Sequence, residues 1–251
     1  MPWPQLASAV ETWRGEDRFE LCFFVRKWPG LRLRFAGPDL DQTLTPVLSD
    51  WTAAAEGDGH IAGYWPAVYE PEQHRFGGPA AMAIAHRQWD RDSRLLLAYE
   101  TLPAAMTLDR YSFWAAAVNN LLELSLDDAA EVWDVWSRLG DLVSQAEPSA
   151  LDVVPNPITP DLARHLSRIS PELIASLDPG ERRILQQVTV NNRLTADALT
   201  AVERRGELTV GKRSWLTAAA NFQCNRWGLG LHIPALRGMI TTMIDLLRPD
   251  Q

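Results

Sequence analysis

Apolar residues at the start of the chain recur with helical spacing: Leu6, Val10 and Trp13 share one face, and the segment stops at Gly15. The pattern then becomes strand-like. Residues 18–28, RFELCFFVRKW, are dense in aromatic and β-branched side chains, Pro29-Gly30 supplies a turn, and LRLRFAG follows, which predicts a β-hairpin. In the second strand Leu31, Leu33 and Phe35 alternate with Arg32 and Arg34, so both guanidinium groups are expected on the face opposite the core. Asp39 and Asp41 open a predicted helix that runs through Trp51 into the EGDG stretch at 56–59. A strand is expected from His60 to Tyr69, and Pro79 begins a long helical stretch, AAMAIAHRQWDRDSRLLLAYETL.

From Leu108 to about Gln145 the period is helical throughout, with a break at Leu126-Asp127. Pro148, Pro155, Pro157 and Pro160 make residues 148–160 irregular, since each proline removes a donor and restricts its predecessor. Beyond them lie helical pieces at 161–168, 171–177 and 179–190, one through Glu203, one from about Ser214 to Arg226, and a last one from Pro234 to Leu247. The expected fold is α+β: an N-terminal antiparallel or mixed sheet region followed by a largely helical C-terminal two-thirds. It is read as one domain over residues 1–251 with a candidate internal linker at 148–160.

Composition narrows the function classes. The 251 residues, 46% of them hydrophobic, suffice for a substantial core. With 32 acidic against 24 basic side chains the net charge is −8, which sets the chain against a nucleic-acid backbone as principal partner. Cys22 and Cys224 lie far apart and fit neither a disulfide framework nor a zinc site, so they are expected as reduced, buried thiols. The start, MPWPQLASAVETWRG, lacks the basic opening and apolar centre of a signal peptide, and no run of about 18 apolar residues occurs. The expectation is a cytoplasmic protein with no membrane partner. Most of the eleven tryptophans are expected in the core.

Common catalytic patterns are missing: there is no GxxxxGK[ST], GxGxxG, HExxH or GxSxG. The GLGLH stretch at 228–232 follows a helix, which argues against a nucleotide site. His60, His74, His86, His165 and His232 show no metal-ligand spacing, so no metal and no cofactor are expected. What remains is Arg32 and Arg34 on one strand face, the turn YEPEQHRFGG at 69–78 with Tyr69 and Arg75, and the polar run Asn221, Gln223, Asn225, Arg226. Converging arginines would make a rigid clamp for carboxylates or other anions. The alternative is that Arg32 and Arg34 pair with nearby acids on a solvated sheet face, and pattern alone leaves both open.

Three blocks in order, LCFFVRKWPGLRLRFAG, YEPEQHRFGGPAAMAIAHRQWDRDS and NFQCNRWG, resemble the C-terminal glutamate-elimination domain of class I lanthipeptide dehydratases. They equally resemble the stand-alone members of that family in thiopeptide biosynthesis. The middle block is the most specific. The resemblance implies that Arg32, Arg34 and Arg75 line a pocket which, in eliminating members, handles a glutamyl ester on Ser or Thr. Two departures stand out. Gly30 precedes LRLR where eliminating members usually carry histidine, and Asn221-Phe222 stands where they carry His-Met. That second histidine is the expected acid or base of elimination, and asparagine exchanges no proton at neutral pH.

The loss points instead to the pyridine synthases of this family, which join two dehydroalanines of one peptide in a formal [4+2] aza-cycloaddition and release water and the leader peptide. A divergent elimination lyase and a non-catalytic peptide-binding member are the alternatives. The candidate catalytic residues are Arg75, Arg34, Asn221 and Tyr69, and the candidate substrate-binding residues are Arg32 and Gln223. Positions two apart on a helix are turned about 200° from each other, so only one of Asn221 and Gln223 is expected in the pocket, Asn221 being favoured. The partner implied is a modified precursor peptide with its leader; a homodimer stays open. Leaders of such peptides are commonly acidic, which makes Arg26 and Lys27 the first candidates for leader contact, with Arg204, Arg205, Lys212 and Arg213 behind them.

Overall fold

The computed structural model describes residues 2–27, 30–102, 107–145, 169–231 and 233–249. The helical start becomes α1 (Trp3–Gly15), which buries Leu6, Val10 and Trp13. Strands β1 (Leu21–Lys27) and β2 (Gly30–Ala36) pair antiparallel, Phe23 opposite Arg34 and Val25 opposite Arg32. This hairpin is the whole sheet among the described residues. The helix expected from Asp39 onward is two helices, α2 (Leu40–Thr43) and α3 (Thr45–Gly57). Pro46 explains the break: a proline fits the first turn of a helix and not its interior. The expected strand at 60–69 is absent, and residues 60–72 carry neither helix nor strand. Pro66 and Pro71 remove ladder donors from that stretch.

The rest is helical, as expected for the α+β class: α4 (Pro79–Glu100), α5 (Arg110–Ser125), α6 (Ala129–Ser144), α7 (Pro171–Ser176), α8 (Pro179–Arg204), α9 (Lys212–Trp227), a single 3₁₀ turn (Leu229–Leu231) and α10 (Ile233–Leu246). The break at Leu126-Asp127 separates α5 from α6, where Asp128 caps the second helix by accepting from the Glu131 N–H. The two pieces expected over 179–203 form one helix, begun by a capping box in which Asp178 and Glu181 satisfy each other's backbone N–H groups. The candidate linker at 148–160 and the helical piece at 161–168 lie outside the described residues.

Two faces of the hairpin are put to different uses. On one, Trp3 and Trp13 of α1 pack against Phe24 and Phe35 at ring separations of 5.7 and 6.3 Å. The free edge of β1 is closed by α4: the Cys22 N–H donates to Asp90 at 2.8 Å and the Phe24 N–H to Ser93 Oγ at 3.2 Å. Helices α4 and α9 are joined by a buried knot in which Asp92 accepts from Arg226 Nε (2.5 Å), Gln223 Nε2 (2.8 Å) and Trp227 Nε1 (3.2 Å). Trp89, Trp114, Trp136, Trp215 and Trp227 are fully buried, whereas Trp65 is 76% exposed. Cys22 and Cys224 are free and buried, and burial raises both thiol pKa values, that of Cys224 to about 12. No helix of the described residues is long and apolar enough to cross a membrane.

Candidate functional site

The second hairpin face borders a cavity of about 240 Å³. Its floor is aromatic. Trp89 of α4 and Phe222 of α9 stack in parallel at 4.9 Å, and Phe76, fully buried, meets both edge-on at 5.2 Å. Phe76 reaches this position because Gly77 and Gly78, at φ +74° and +100°, turn the chain into α4 where a side chain would be strained. A Cβ on Gly77 would also meet Leu208 and Val210 side chains at 2.9 Å, and its carbonyl accepts from the Thr209 N–H at 3.0 Å.

Arg32 and Arg34 line this cavity from β2. Neither makes an ion pair among the described residues, so the acid-paired alternative does not describe them, although Arg32 is exposed. The Arg34 guanidinium lies 4.8 Å from the Tyr69 ring and 5.8 Å from the Phe23 ring, and its Nη1 is buried without an acceptor. Burial lowers the Arg34 pKa, offset by Tyr69. An unsatisfied guanidinium N–H is costly in a folded protein unless something else supplies the acceptor. The expectation that the arginine face lies opposite the core holds only for the α1 side. Phe23, on the arginine face, is itself buried against Tyr69, His86 and Trp89.

Tyr69 lines the cavity and its Oη lies 2.9 Å from His86 Nε2. Burial pushes the Tyr69 pKa up to about 12, and burial together with the Arg34 charge holds His86 below its ordinary value of 6.5. At neutral pH the pair is therefore an uncharged phenol beside an uncharged imidazole. Glu70 and Glu72 complete the polar wall. Arg75 stands at the rim: it pairs with Glu72 at 2.9 Å, is exposed, and lies 6.0 Å from the Phe222 ring. The structure thus brings Arg32, Arg34 and Tyr69 into one cavity, with Arg75 reaching it through Glu72.

Other candidates fall elsewhere. Gln223 is buried, donates to Asp92 in the knot between α4 and α9, and is not among the residues lining this cavity. Asn221 is half-buried and is not among the cavity-lining residues; Phe222, turned about 100° from it, faces inward instead. Arg26 is paired with Glu100, donates to the Arg226 carbonyl at 2.8 Å and lies 4.1 Å above the Trp3 ring, with its side chain 18% exposed. Lys27 is exposed at the strand end. Lys212 pairs with Glu203, Arg205 with Glu207 and Arg213 with Asp134, while Arg204 is exposed.

Phe222 and Trp89 were not expected at the site, and His86 only as a histidine that would favour elimination if it stood at the cavity. The signal was present in part, since His86 and Trp89 are three apart on one face of α4, inside the most specific block. Among the described residues no group of three or more His, Cys, Asp or Glu is placed to hold a metal ion. Residues 4–234 match the family model described as lantibiotic biosynthesis dehydratase C-term. No curated protein and no solved structure matches the chain.

Proposed function

Because the chain belongs to the lantibiotic dehydratase C-terminal family, with a role in lanthipeptide or thiopeptide biosynthesis, we propose that its cavity cyclises a dehydrated precursor peptide as a pyridine synthase. The observation that carries this reading is the pairing of an acceptor-seeking Arg34 with the neutral Tyr69–His86 couple, where α9 offers Phe222 rather than a proton-exchanging side chain.

In this reaction one dehydroalanine supplies its Cα=Cβ bond. The other supplies Cβ=Cα–N, extended by the preceding carbonyl carbon once that amide becomes its imidic-acid tautomer. The amide nitrogen loses a proton and the carbonyl oxygen gains one. Two C–C bonds then form, Cβ to Cβ and the former carbonyl carbon to the Cα of the partner. The hydroxyl departs as water and the leader nitrogen departs as a primary amide, each taking one proton from the ring, which becomes a pyridine. Positioning dominates such a step, because two distant parts of a flexible peptide must meet in register.

Arg34 and Arg32 donate to the amide oxygen and hold it where charge and the new O–H develop. Tyr69 and His86 move the proton between amide nitrogen and oxygen, a task suited to two neutral groups of which one donates while the other accepts. Glu70 and Glu72 accept peptide N–H groups, and Phe23, Trp89 and Phe222 exclude water from the reacting atoms.

One observation favours elimination as a second reading. His86 lies one hydrogen bond behind the cavity wall, beside Arg34, and is neutral at pH 7, so it could take an α-proton through Tyr69 while the arginines hold a departing glutamate. Mass spectrometry separates the two. A dehydrated precursor incubated with the protein loses water and leader if the cyclase reading holds; a glutamylated precursor loses glutamate and keeps its leader if elimination holds.

A further inference from the structure

Among the described residues α4 covers one edge of the hairpin and no strand pairs with the other. The Cys22 and Phe24 N–H groups point away from β2, to Asp90 and Ser93 on α4. Strand amides alternate in direction, so Phe23 and Val25 are the residues that exchange ladder bonds with Arg34 and Arg32. On β2 the N–H and C=O groups of Leu31, Leu33 and Phe35 therefore point outward, away from β1. Among the described residues no backbone group bonds them, and no third strand is present.

Such an edge is a template for another chain, and folded proteins usually blunt it with charge, a bulge or a covering element. Here the charges, Arg32 and Arg34, stand on the cavity face alone, and Leu31, Leu33 and Phe35 occupy the other. The cavity beside this edge is bordered by Val68, which is 93% exposed, and Trp65 and Tyr64 just before it are 76% and 48% exposed. Residues 62–70 make no backbone hydrogen bonds to β2. An edge of this kind, running along a cavity lined by anion- and carbonyl-seeking arginines, suits an extended peptide.

We propose that the segment of the peptide substrate flanking its reacting residue adds to β2 as a third strand, bonded to Leu31, Leu33 and Phe35. This rests on the reading of the protein as peptide-modifying. A neighbouring strand lies about 4.8 Å away, and its side chains alternate between faces. Every second residue of the added segment then points to the Arg32–Arg34 face and the cavity, while those between meet the apolar face of Leu31 and Leu33. Strand addition fixes register, and register selects which residue enters the cavity.

The test uses the Leu33 amide. Proline is tolerated on an edge strand where the missing N–H faces outward, so Leu33→Pro keeps the β1–β2 ladder while removing a central donor. Leu33→Ala loses the same side chain but keeps the donor. Binding of a fluorescein-labelled dehydrated precursor peptide is measured by anisotropy for both variants. Leu33→Pro is expected to bind about tenfold or more weakly than Leu33→Ala, from the lost hydrogen bond and the obstructed approach. In the wild-type protein, hydrogen exchange should slow at Leu31, Leu33 and Phe35 when peptide is added. Equal affinity of the two variants overturns the proposal. So does exchange unchanged by peptide, which decides the matter if Leu33→Pro fails to fold. Slowed exchange without cyclised product keeps strand addition and removes the cyclase reading; cyclised product without slowed exchange does the reverse.

Discussion

Replacing Arg34 with methionine removes the guanidinium and keeps the apolar stem. In the unliganded protein two effects oppose each other. Stacking over Tyr69 at 4.8 Å and Phe23 at 5.8 Å contributes about 0.5–1 kcal/mol per ring at a half-exposed site. The buried Nη1 without an acceptor costs about 1–3 kcal/mol. The two together run from about 1 kcal/mol lost to about 2 kcal/mol gained, so Arg34→Met should lower the melting temperature by no more than about 2–4 °C for a chain of this size. Turnover behaves differently. Two charge-assisted hydrogen bonds to the reacting amide, at about 1.5–3 kcal/mol each, correspond to a loss of about 10²–10⁴ in kcat/KM. Arg226→Met is the contrast: that guanidinium is 0% exposed and bonded to Asp92, and its loss leaves a buried carboxylate uncompensated at about 3–5 kcal/mol. Thermal melts and initial rates on both variants decide it. An Arg34→Met protein that melts as early as Arg226→Met, or that turns over peptide at the wild-type rate, would refute a substrate-binding role for Arg34.

Tyr69→Phe keeps the ring under Arg34 but removes the bond to His86, and should cost about 1 kcal/mol of stability and about 10²-fold in rate, read by melts and product formation. His86 has its pKa held below 6.5 in the fold, so the unfolded chain binds its proton first as pH falls. That stability is present above about pH 6.5 and is lost between there and the folded pKa. Denaturant titrations of His86→Gln should show a flatter slope over that interval, and an NMR titration should find the His86 pKa higher in Arg34→Met than in wild type. Arg26→Ala should destabilise the fold by about 1.5–3 kcal/mol, through its bonds to Glu100 and the Arg226 carbonyl, and leave the salt dependence of leader binding unchanged.

Much of the frame was legible because period reports burial. The hairpin, α1 and the break between α5 and α6 follow directly from it. The run Cys22-Phe23-Phe24 also carried the sign that β1 is covered on both faces, since a half-buried strand would alternate. The strand expected at 60–69 failed because its apolar residues are interrupted by Pro66 and find no partner strand. At the site, LRLR and the Tyr-to-Gly-Gly block were readable as local patterns. The phase of α9 was not: spacing excluded Asn221 and Gln223 from sharing a face but could not show that Phe222, between them, turns inward. Arg26 resembled a free basic residue because its acid, Glu100, is 74 positions away in sequence, and only the packing of α4 on β1 brings them together.

Whether the Arg32–Arg34–Tyr69 cavity directs an aza-cycloaddition shows in the chemical identity of the released leader. High-resolution mass spectrometry of a dehydrated precursor treated with wild-type protein should find a leader ending in a primary amide, formed in step with a pyridine-bearing macrocycle. Arg34→Met, still folded, should yield neither at a comparable rate. A leader ending in a free carboxylate, or a peptide that has lost only glutamate and kept its leader, would contradict the claim.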